Sequence, residues 1–303
     1  MRLLVTGANG FLGRHLVDAL EGAGATPIAL ALERGVLSER VPFLAVDVCD
    51  REAVARAVAE VDPDAVVHLA ALSHVGDSWR RIDDYYAVNV VGTDNVLAAA
   101  RGRRVLFSSS AEVYGAVPER EQPIPESRPP APRSPYALTK TVAERAALAA
   151  GAIVVRCFNL LGPGQAPSFA LPSFAAQLAA VARGEREPVL RVGNLGARRD
   201  FVHVRDAVDG FCRVLARAEP GSLFNLASGT AISIGEALER LVAIAGVAVR
   251  TEVDPELVRP LDVPVLAGDA ARLRGLGWRP ARGVDAALAD LWAEASAVTE
   301  GAA

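Results

Sequence analysis

Short apolar runs alternate with longer segments rich in Ala, Leu, Glu and Arg through the first half of the chain. The short runs show little polar alternation, which is typical of parallel strands that helices cover on both faces. They predict strands near residues 2–6, 26–31, 42–46, 65–69, 103–108 and 152–157. The longer segments predict helices at 11–22, 50–59, 83–101 and 134–149. This order predicts an α/β fold with a doubly wound parallel sheet.

The second half of the chain has a different pattern. After Phe158, "NLLGPGQAPSFALPS" is rich in Gly, Pro and Ser, which is typical of irregular structure. The segments "FVHVRDAVDGFCRVLA" and "LFNLASG" then predict a return to the sheet. We therefore predict a first domain of residues 1–160, joined by 202–227, that interleaves with a smaller α/β region of residues 161–201 and 228–303.

Two further segments are irregular or terminal. The proline-dense residues 117–136 predict a surface loop that leads into a helix, and such a loop is a candidate lid over a site. The alanine-rich tail after Trp292 predicts a frayed terminal helix.

Composition and charge exclude several classes of protein. Apolar residues make up 51% of the 303 residues, but no apolar run approaches the roughly 18 residues of a membrane span. The N-terminus lacks the features of a signal peptide, so a cytoplasmic location is expected. The net charge is −4 with dispersed basic residues, which predicts no nucleic-acid partner. Cys49, Cys157 and Cys212 have neither disulfide nor zinc spacing, so no metal site is expected.

Three glycines follow the first predicted strand. In "LLVTGANGFLGRHL", Gly7, Gly10 and Gly13 lie between a strand and a helix. A tight turn, a close approach of backbone to a pyrophosphate and close helix packing each require a residue with little or no side chain. The helix N-terminus also favours negative charge. The segment therefore predicts dinucleotide binding.

A tyrosine and a lysine stand one helical turn apart in "SPYALTK". Tyr136 and Lys140 share one face of the helix predicted at 134–149. A nearby ammonium favours the phenolate and so lowers the pKa of a tyrosine, which brings proton transfer closer to neutral pH. The pair is a candidate for acid–base catalysis.

Further motifs extend over almost the whole chain. They are "VDV", "HLAALSHVGDS", "NVVGT", "SSSAEVYG", "SPYALTK", "RCFNLLGPG", "GNLGARRDFVHVRD" and "VRPLDVP". With the Gly-x-x-Gly-x-x-Gly spacing, they make the chain resemble the extended short-chain dehydrogenase/reductase family, the epimerases, dehydratases and reductases of nucleotide sugars. The resemblance implies a Rossmann-type fold whose first domain binds NAD(P) and whose smaller region binds a nucleotide sugar.

The resemblance implies a catalytic trio of Ser110, Tyr136 and Lys140, in which the serine orients the reacting sugar oxygen. Glu112 is an open case. In sugar-nucleotide 4,6-dehydratases a glutamate at this place removes the C5 proton, whereas in other members it positions a hydroxyl or lines the cavity. Ala111 replaces the aspartate of some dehydratases without excluding dehydration.

Structural roles are expected for several other polar and aromatic residues. Ser108 and Ser109 are expected to satisfy backbone groups at the strand end. Tyr114 is expected to pack, with its hydroxyl at a cleft edge, and His203 is expected to be structural.

The resemblance also implies ligand contacts. Those expected for the dinucleotide are Gly7, Asn9, Gly10, Phe11, Leu12, Gly13, Arg14, Arg34, Asp47, Val48, Leu69, Ala70, Ala71 and Asn89, with Tyr136 and Lys140. Those expected for the nucleotide sugar are Ser73, His74, Ser110, Glu112, Asn159, Arg199 and Arg259. The two arginines suit a diphosphate, because a guanidinium presents a planar fork of donors.

The residue after the second strand bears on the choice of cofactor. NAD-using relatives usually carry an acid there, where it binds the ribose hydroxyls, but alignment puts Ala31 at this position. Arg14 and Arg34 suit a 2′-phosphate, so NADP(H) is favoured over NAD(H). Glu33 argues for NAD(H), because a shift of two residues restores the acid.

Three reactions use the same trio. The C-terminal half resembles dehydratases and reductases of GDP-linked sugars, and the reductases have about the length of this chain. The resemblance therefore favours a 4-ketoreductase that reduces the C4 keto group of a GDP- or dTDP-linked 4-keto-6-deoxyhexose. An NAD-retaining 4-epimerase or 4,6-dehydratase is the alternative, and a non-catalytic dinucleotide-binding protein is a remoter one. Family members also dimerise through a four-helix bundle, so a homodimer is expected.

Overall fold

The computed structural model describes residues 1–258 and 263–297. Its strands are β1 (Arg2–Thr6), β2 (Thr26–Ala31), β3 (Phe43–Ala45), β4 (Ala65–His68), β5 (Arg104–Ser110), β6 (Ile153–Cys157), β7 (Asn159–Leu161), β8 (Val189–Val192), β9 (Arg198–His203), β10 (Leu223–Leu226), β11 (Ala231–Ser233), β12 (Arg250–Val253) and β13 (Val265–Leu266). Its α-helices are α1 (Phe11–Gly22), α2 (Arg51–Val61), α3 (Val75–Ser78), α4 (Ile82–Tyr86), α5 (Gly92–Ala99), α6 (Pro135–Ala149), α7 (Ala170–Ala182), α8 (Val204–Arg217), α9 (Ile234–Ala245), α10 (Ala271–Gly275) and α11 (Val284–Ala297).

Within the described residues, seven parallel strands form a central sheet in the order β10-β6-β5-β4-β1-β2-β3. Successive residues of a strand point to opposite faces, and both faces are buried: Leu3 and Val5 enter one core, and Leu4 enters the other. The six predicted strands and the α/β doubly wound fold are confirmed. The helix predicted at 83–101 is interrupted, because a π-helical turn at Ala87–Val91 joins α4 to α5.

A second group of strands stands apart from the central sheet. β9 pairs with β7 and β13 in parallel and with β11 in antiparallel orientation, while β8 pairs with β12. Helices α7, α9 and α11 bury a separate core that includes Phe174, Leu241 and Leu288. The return to the central sheet comes through α8, which contacts α1, and through β10 at the sheet edge. The domain boundaries themselves stay a prediction.

The proline-dense segment, predicted as a surface loop and a candidate lid, is held down at its centre. The side chain of Gln122 donates to the carbonyls of Val117 and Val265. Ile124 is fully buried, and the carboxylate of Glu126 accepts the amide of Asn225. These contacts fix the segment against β13 and against β10 of the central sheet.

The chain after Trp292 remains helical to Ala297, and residues 298–303 lie outside the described part. No helix in the described ranges is long and apolar enough to cross a membrane.

Candidate active site

A cavity of about 310 Å³ opens where β1, β4, β5 and β6 end. The carboxyl ends of parallel strands share one edge of a sheet, which brings distant parts of the sequence together. The cavity is lined by Gly7, Gly10, Phe11, Leu12 and Gly13 of the glycine loop, by Leu69, Ala71 and Ser73, and by Ser110, Glu112, Tyr136, Lys140, Asn159 and Arg199.

A second cavity, of about 370 Å³, adjoins the first. The two share Asn159, Leu160, Gln165, Phe169 and Arg199. His74, Phe174, Asn194 and Glu256 line only the second cavity. An elongated ligand can therefore extend from the glycine loop into the space beside β9 and α7.

The glycine loop fits a dinucleotide. Gly7 has a φ of 66°, and a Cβ there would lie 2.7 Å from the backbone nitrogen of Ala70. A Cβ on Gly13 would lie 2.2 Å from the carbonyl oxygen of Gly7. Gly10 caps α1 without a side chain, so no side chain competes for the first amides of the helix. Free amides and a helix dipole at this place suit a pyrophosphate.

The trio comes from two elements that pack together. Ser110 ends β5, and its Oγ accepts the amide of Glu112 at 3.2 Å to begin a short 3₁₀ turn. Ser134 caps α6 by accepting the amide of Ala137 at 3.1 Å. This cap places Tyr136 in the first turn of α6, with Lys140 one turn later on the same face.

Burial is the largest influence on the pKa values of Tyr136 and Lys140. It raises the pKa of the Tyr136 phenol, although a hydrogen bond with Ser110 acts in the opposite direction. It lowers the pKa of Lys140 to about 8, against the opposing effects of Cys157 and Glu144. The ammonium lies 4.3 Å from the centre of the Phe107 ring. The sequence predicted that Lys140 lowers the pKa of Tyr136, but in the structure burial raises this pKa and the opposing contribution comes from Ser110.

A histidine that sequence reasoning missed holds the segment after β4. His68 Nε2 and Nδ1 lie 3.0 Å from Thr93 Oγ1 and 2.6 Å from Thr6 Oγ1. Thr93 donates its own proton to the carbonyl of Asn89, which assigns the ring proton to Nε2. Burial lowers the pKa of His68 to about 3, so the ring is neutral. Thr6 Oγ1 also accepts the amide of Ala70, and the backbone that faces the glycine loop is thereby fixed.

Asn89 acts on the same segment from the π-helical turn. Its side chain accepts the amide of Leu72 at 2.9 Å and donates to the Leu72 carbonyl at 3.0 Å. It also donates to Thr139 of α6 at 3.1 Å. Asn89 lines neither cavity and connects α6 to the segment around Leu72. Its expected contact with the cofactor stays a prediction.

Other expected cofactor contacts also lie outside both cavities: Asn9, Arg14, Arg34, Asp47, Val48 and Ala70. Arg14 has a partner within the protein, and its expected contact with a 2′-phosphate stays a prediction. Its guanidinium occupies the space beside Gly164, where a Cβ would lie 0.9 Å from Nη2, and Nη2 donates to the Pro163 carbonyl at 3.4 Å. Arg14 therefore joins α1 to residues 163–164.

The expected cofactor contacts near the end of β2 and after β3 contact neighbouring parts of the chain. Asn9 donates to the Glu33 carbonyl at 2.8 Å, so the glycine loop reaches the end of β2. Arg34 donates to the carbonyls of Ser38 and Val41, each at 3.0 Å. The side chain of Asp47 accepts the amide of Cys49 at 2.8 Å, and Val48 packs against Gly92.

The expected substrate residues divide between the two cavities. Ser73, Ser110 and Glu112 line the first, Asn159 and Arg199 line both, and His74 lines the second. Arg259 lies outside the described residues.

Two residues of the strand-end stretch differ from expectation. Ser109 donates to the carboxylate of Glu144 at 2.6 Å rather than to backbone. Tyr114 is buried away from the cleft, and its hydroxyl donates to Asn225 at 2.6 Å. His203 accepts the amide of Arg205 at the start of α8, which agrees with a structural role.

Comparison with known proteins gives the chain a family. Residues 3–227 match the model of the NAD dependent epimerase/dehydratase family. A GDP-6-deoxy-D-mannose reductase of Pseudomonas aeruginosa is 36% identical over 290 residues, which cover 92% of each chain. The structure of RMD from Pseudomonas aeruginosa complexed with NADPH matches with a TM-score of 0.86 at 33% identity, over 98% of this chain and 99% of that one.

An epimerase is similar to a comparable degree. The Thermus thermophilus UDP-glucose 4-epimerase in complex with NAD matches with a TM-score of 0.89 at 30% identity, over 97% of this chain and 99% of that one. The glycine loop and the cavity at the sheet edge are consistent with these matches. The chain belongs to the NAD dependent epimerase/dehydratase family.

Proposed function

We propose that the protein reduces the C4 keto group of an NDP-4-keto-6-deoxyhexose, GDP- or dTDP-linked, to give an NDP-6-deoxyhexose. The observation that carries the proposal is the meeting of Ser110, Tyr136 and Lys140 with the glycine loop in one cavity. The preference for reduction is supported by the 36% identity to a GDP-6-deoxy-D-mannose reductase over 92% of both chains.

The roles of the residues follow from their positions. The chemistry that a bound reduced nicotinamide supplies is hydride transfer to C4. Tyr136 donates its proton to the oxygen that becomes the C4 hydroxyl, and its raised pKa keeps that proton available at neutral pH. Ser110, which hydrogen-bonds Tyr136, orients the same oxygen. The Lys140 ammonium supports the tyrosine as its proton leaves.

The substrate is expected to extend across both cavities. With the hexose beside Tyr136, the diphosphate and base occupy the second cavity. Arg199 lies where the two cavities meet and suits the diphosphate. Asn159 and Ser73 offer hydrogen bonds to the sugar.

The choice of cofactor is part of the proposal, and NADP(H) is favoured. β2 ends in Ala31, which provides no carboxylate for a ribose hydroxyl. Arg34 lies three residues after Ala31, and its side chain is 29% exposed. Glu33 is also exposed and favours NAD(H), so both cofactors belong in the test.

The deciding experiment mixes the purified protein with NADPH or NADH and a GDP- or dTDP-4-keto-6-deoxyhexose. We expect stoichiometric loss of reduced-nicotinamide absorbance, faster with NADPH, and a product two mass units heavier than the substrate. Interconversion of a UDP-hexose without net cofactor consumption would establish the epimerase instead. Loss of water from an NDP-hexose would establish the dehydratase instead.

A homodimer is the expected assembly. Ile82, Tyr86 and Val91 on the α4–α5 segment and Leu138 on α6 are 43–49% exposed, and contact between two copies would cover them. Light scattering is expected to give the mass of a dimer, and Leu138→Glu to give a monomer. A monomeric wild type would refute this assembly. The cytoplasmic location stays a prediction from the sequence.

A further inference from the structure

A buried cluster of charged side chains lies behind the cavity. Glu126, Lys140, Glu144 and Arg156 are each at most 8% exposed. Two are cations and two are carboxylates, so the charges balance within the protein. Charges without such partners are strongly disfavoured in an interior. Removal of one member therefore changes the electrostatic environment of the others.

Glu144 joins the elements that carry the catalytic groups. It stands one helical turn after Lys140 on α6. Its Oε2 accepts the hydroxyl of Ser109 at 2.6 Å, and Ser109 directly precedes Ser110 on β5. Its carboxylate also pairs with Arg156 of β6, with Nε 3.0 Å from Oε2. One side chain thus fixes α6 against the strand that bears Ser110 and against the next strand.

Arg156 is itself held on its far side. Its guanidinium lies 4.6 Å from the centre of the Tyr114 ring, and Nη1 donates to the carbonyl of Glu126 at 3.4 Å. The carboxylate of Glu126 accepts the amide of Asn225 at 2.9 Å. The guanidinium therefore presents a fixed set of donors to Glu144, which leaves the carboxylate little freedom to move.

The groups around Lys140 come from several elements. His68 of β4 is neutral, and Cys157 of β6 is a buried thiol whose pKa is raised to about 11 by burial. On α6 itself, Tyr136 and Glu144 flank the lysine, and Glu144 supports its charged form.

Two further charges act less directly. Glu112 acts on the Tyr136 phenol from the turn after β5. Arg156 offsets part of the negative charge of Glu144, since the two side chains form an ion pair.

We propose that Glu144 is a positioning residue for the reaction: its carboxylate holds α6 against β5 and β6 and places a buried negative charge one helical turn from the Lys140 ammonium, which favours the protonated lysine. The inference rests on the proposed function, in which charged Lys140 supports Tyr136. It adds a residue that lines neither cavity and touches no reacting atom.

The test is the pH dependence of kcat/KM in Glu144→Gln. The amide keeps the size of the side chain and an acceptor for Ser109, but it removes the negative charge. Activity should fall as Lys140 loses its proton at high pH. Without the carboxylate, we expect this fall to begin about one pH unit lower. A uniform loss of activity at every pH, with the high-pH limb unmoved, would overturn the electrostatic role.

Asp206→Asn is the matched control. Asp206 is another buried carboxylate, on α8, and it accepts the amide and Nη1 of Arg282, each at 2.7 Å. The control should lower the melting temperature, as Glu144→Gln does, but leave the high-pH limb at its wild-type position. An equal shift in both variants would mean that general destabilisation, rather than Glu144, moves the limb.

Ser109→Ala tests the positioning role if Glu144→Gln does not fold. It removes the link between β5 and α6 while the ion pair remains. We expect at least a threefold lower kcat with an unmoved high-pH limb, because small displacements of reacting groups reduce rates strongly. A wild-type kcat would overturn the positioning role.

A failure of the inference about Glu144 can be distinguished from a failure of the proposed function. Wild type that fails to reduce the ketosugar refutes the proposed function. The affinity for NADPH is then measured across pH by fluorescence titration in wild type and Glu144→Gln, because Lys140 is also expected to contact the dinucleotide. A wild-type pH dependence of this affinity in Glu144→Gln would overturn the inference about Glu144.

Discussion

The two parts of the molecule position functional side chains by different means. In the central sheet, parallel pairing brings the ends of β1, β4, β5 and β6 to one edge. In the second group of strands, the cavity wall comes largely from loops and helix ends, such as Phe169 before α7 and Asn194 before β9. Groups on strands and packed helices are held rigidly, whereas loop groups vary without loss of the fold.

Buried polar contacts reinforce this difference. The elements around the first cavity are fixed by His68, Asn89 and Glu144. Each of these residues joins separate elements through side-chain hydrogen bonds. The second group of strands, beside the second cavity, has its own hydrophobic core under α7, α9 and α11. We therefore expect changes in the first part to act on kcat or on folding, and changes in the second part to act on KM.

Tyr136→Phe should give the largest effect. The proton donor is lost while the buried ring stays, so kcat should fall by about 10²–10⁴-fold with an unchanged melting temperature. Tyr86→Phe, on an exposed tyrosine of α4, is the control and should retain full activity. Activity within tenfold of wild type in Tyr136→Phe would indicate another proton donor.

Gly13→Ala should damage both binding and folding. The new Cβ would lie 2.2 Å from the Gly7 carbonyl, so the loop must shift. We expect a loss of about 1–3 kcal/mol in the free energy of unfolding and at least tenfold weaker NADPH binding. Gly22→Ala in the same helix has no atom within 4 Å of the new methyl and should be neutral or slightly stabilising. Equal results for both would refute the close approach at Gly13.

Arg199→Lys should show whether a residue can affect substrate binding without affecting the chemical step. Arg199 is 6% exposed, donates to the carbonyl of Val263 at 2.7 Å and lines both cavities. Lysine lacks the planar fork. We expect KM for the nucleotide sugar to rise about tenfold, which corresponds to about 1.4 kcal/mol, with kcat and KM for NADPH little changed. Arg198→Lys, which alters a surface pair with Glu119, should change neither KM. A fall in kcat alone would place Arg199 with the chemistry.

Lys140→Met should raise the stability of the fold, whereas Gly13→Ala should lower it. Burial lowers the lysine pKa from 10.5 to about 8, which corresponds to on the order of 3 kcal/mol of destabilisation. This cost is fully present below pH 8 and is relieved as pH rises from about 8 to 10.5. The methionine variant should therefore melt higher than wild type at pH 7, and the difference should shrink toward pH 10. A variant less stable at pH 7 would show that contacts of the ammonium outweigh its desolvation.

The regular parts of the fold followed from the chain itself. The strands at 2–6, 26–31 and 65–69 were predicted to within one residue, because a run buried on both faces has a strong local signature. The helix predicted at 83–101 was interrupted by the π-helical turn, because Asn89 forms contacts with Leu72 and Thr139 that only tertiary packing supplies.

The candidate site shows the same limit. Glycine spacing and the Tyr136–Lys140 pair are local patterns, so the sequence by itself was enough to predict a dinucleotide loop and a candidate acid–base pair. Tertiary structure decided where Arg14 points, which groups neutralise buried charge and how far burial shifts each pKa. These depend on residues between 12 and 149 positions apart meeting in space, as Arg156 meets Glu144 and Arg14 meets Pro163. Local patterns carry no record of such contacts, because desolvation and pairing arise only when the chain is packed.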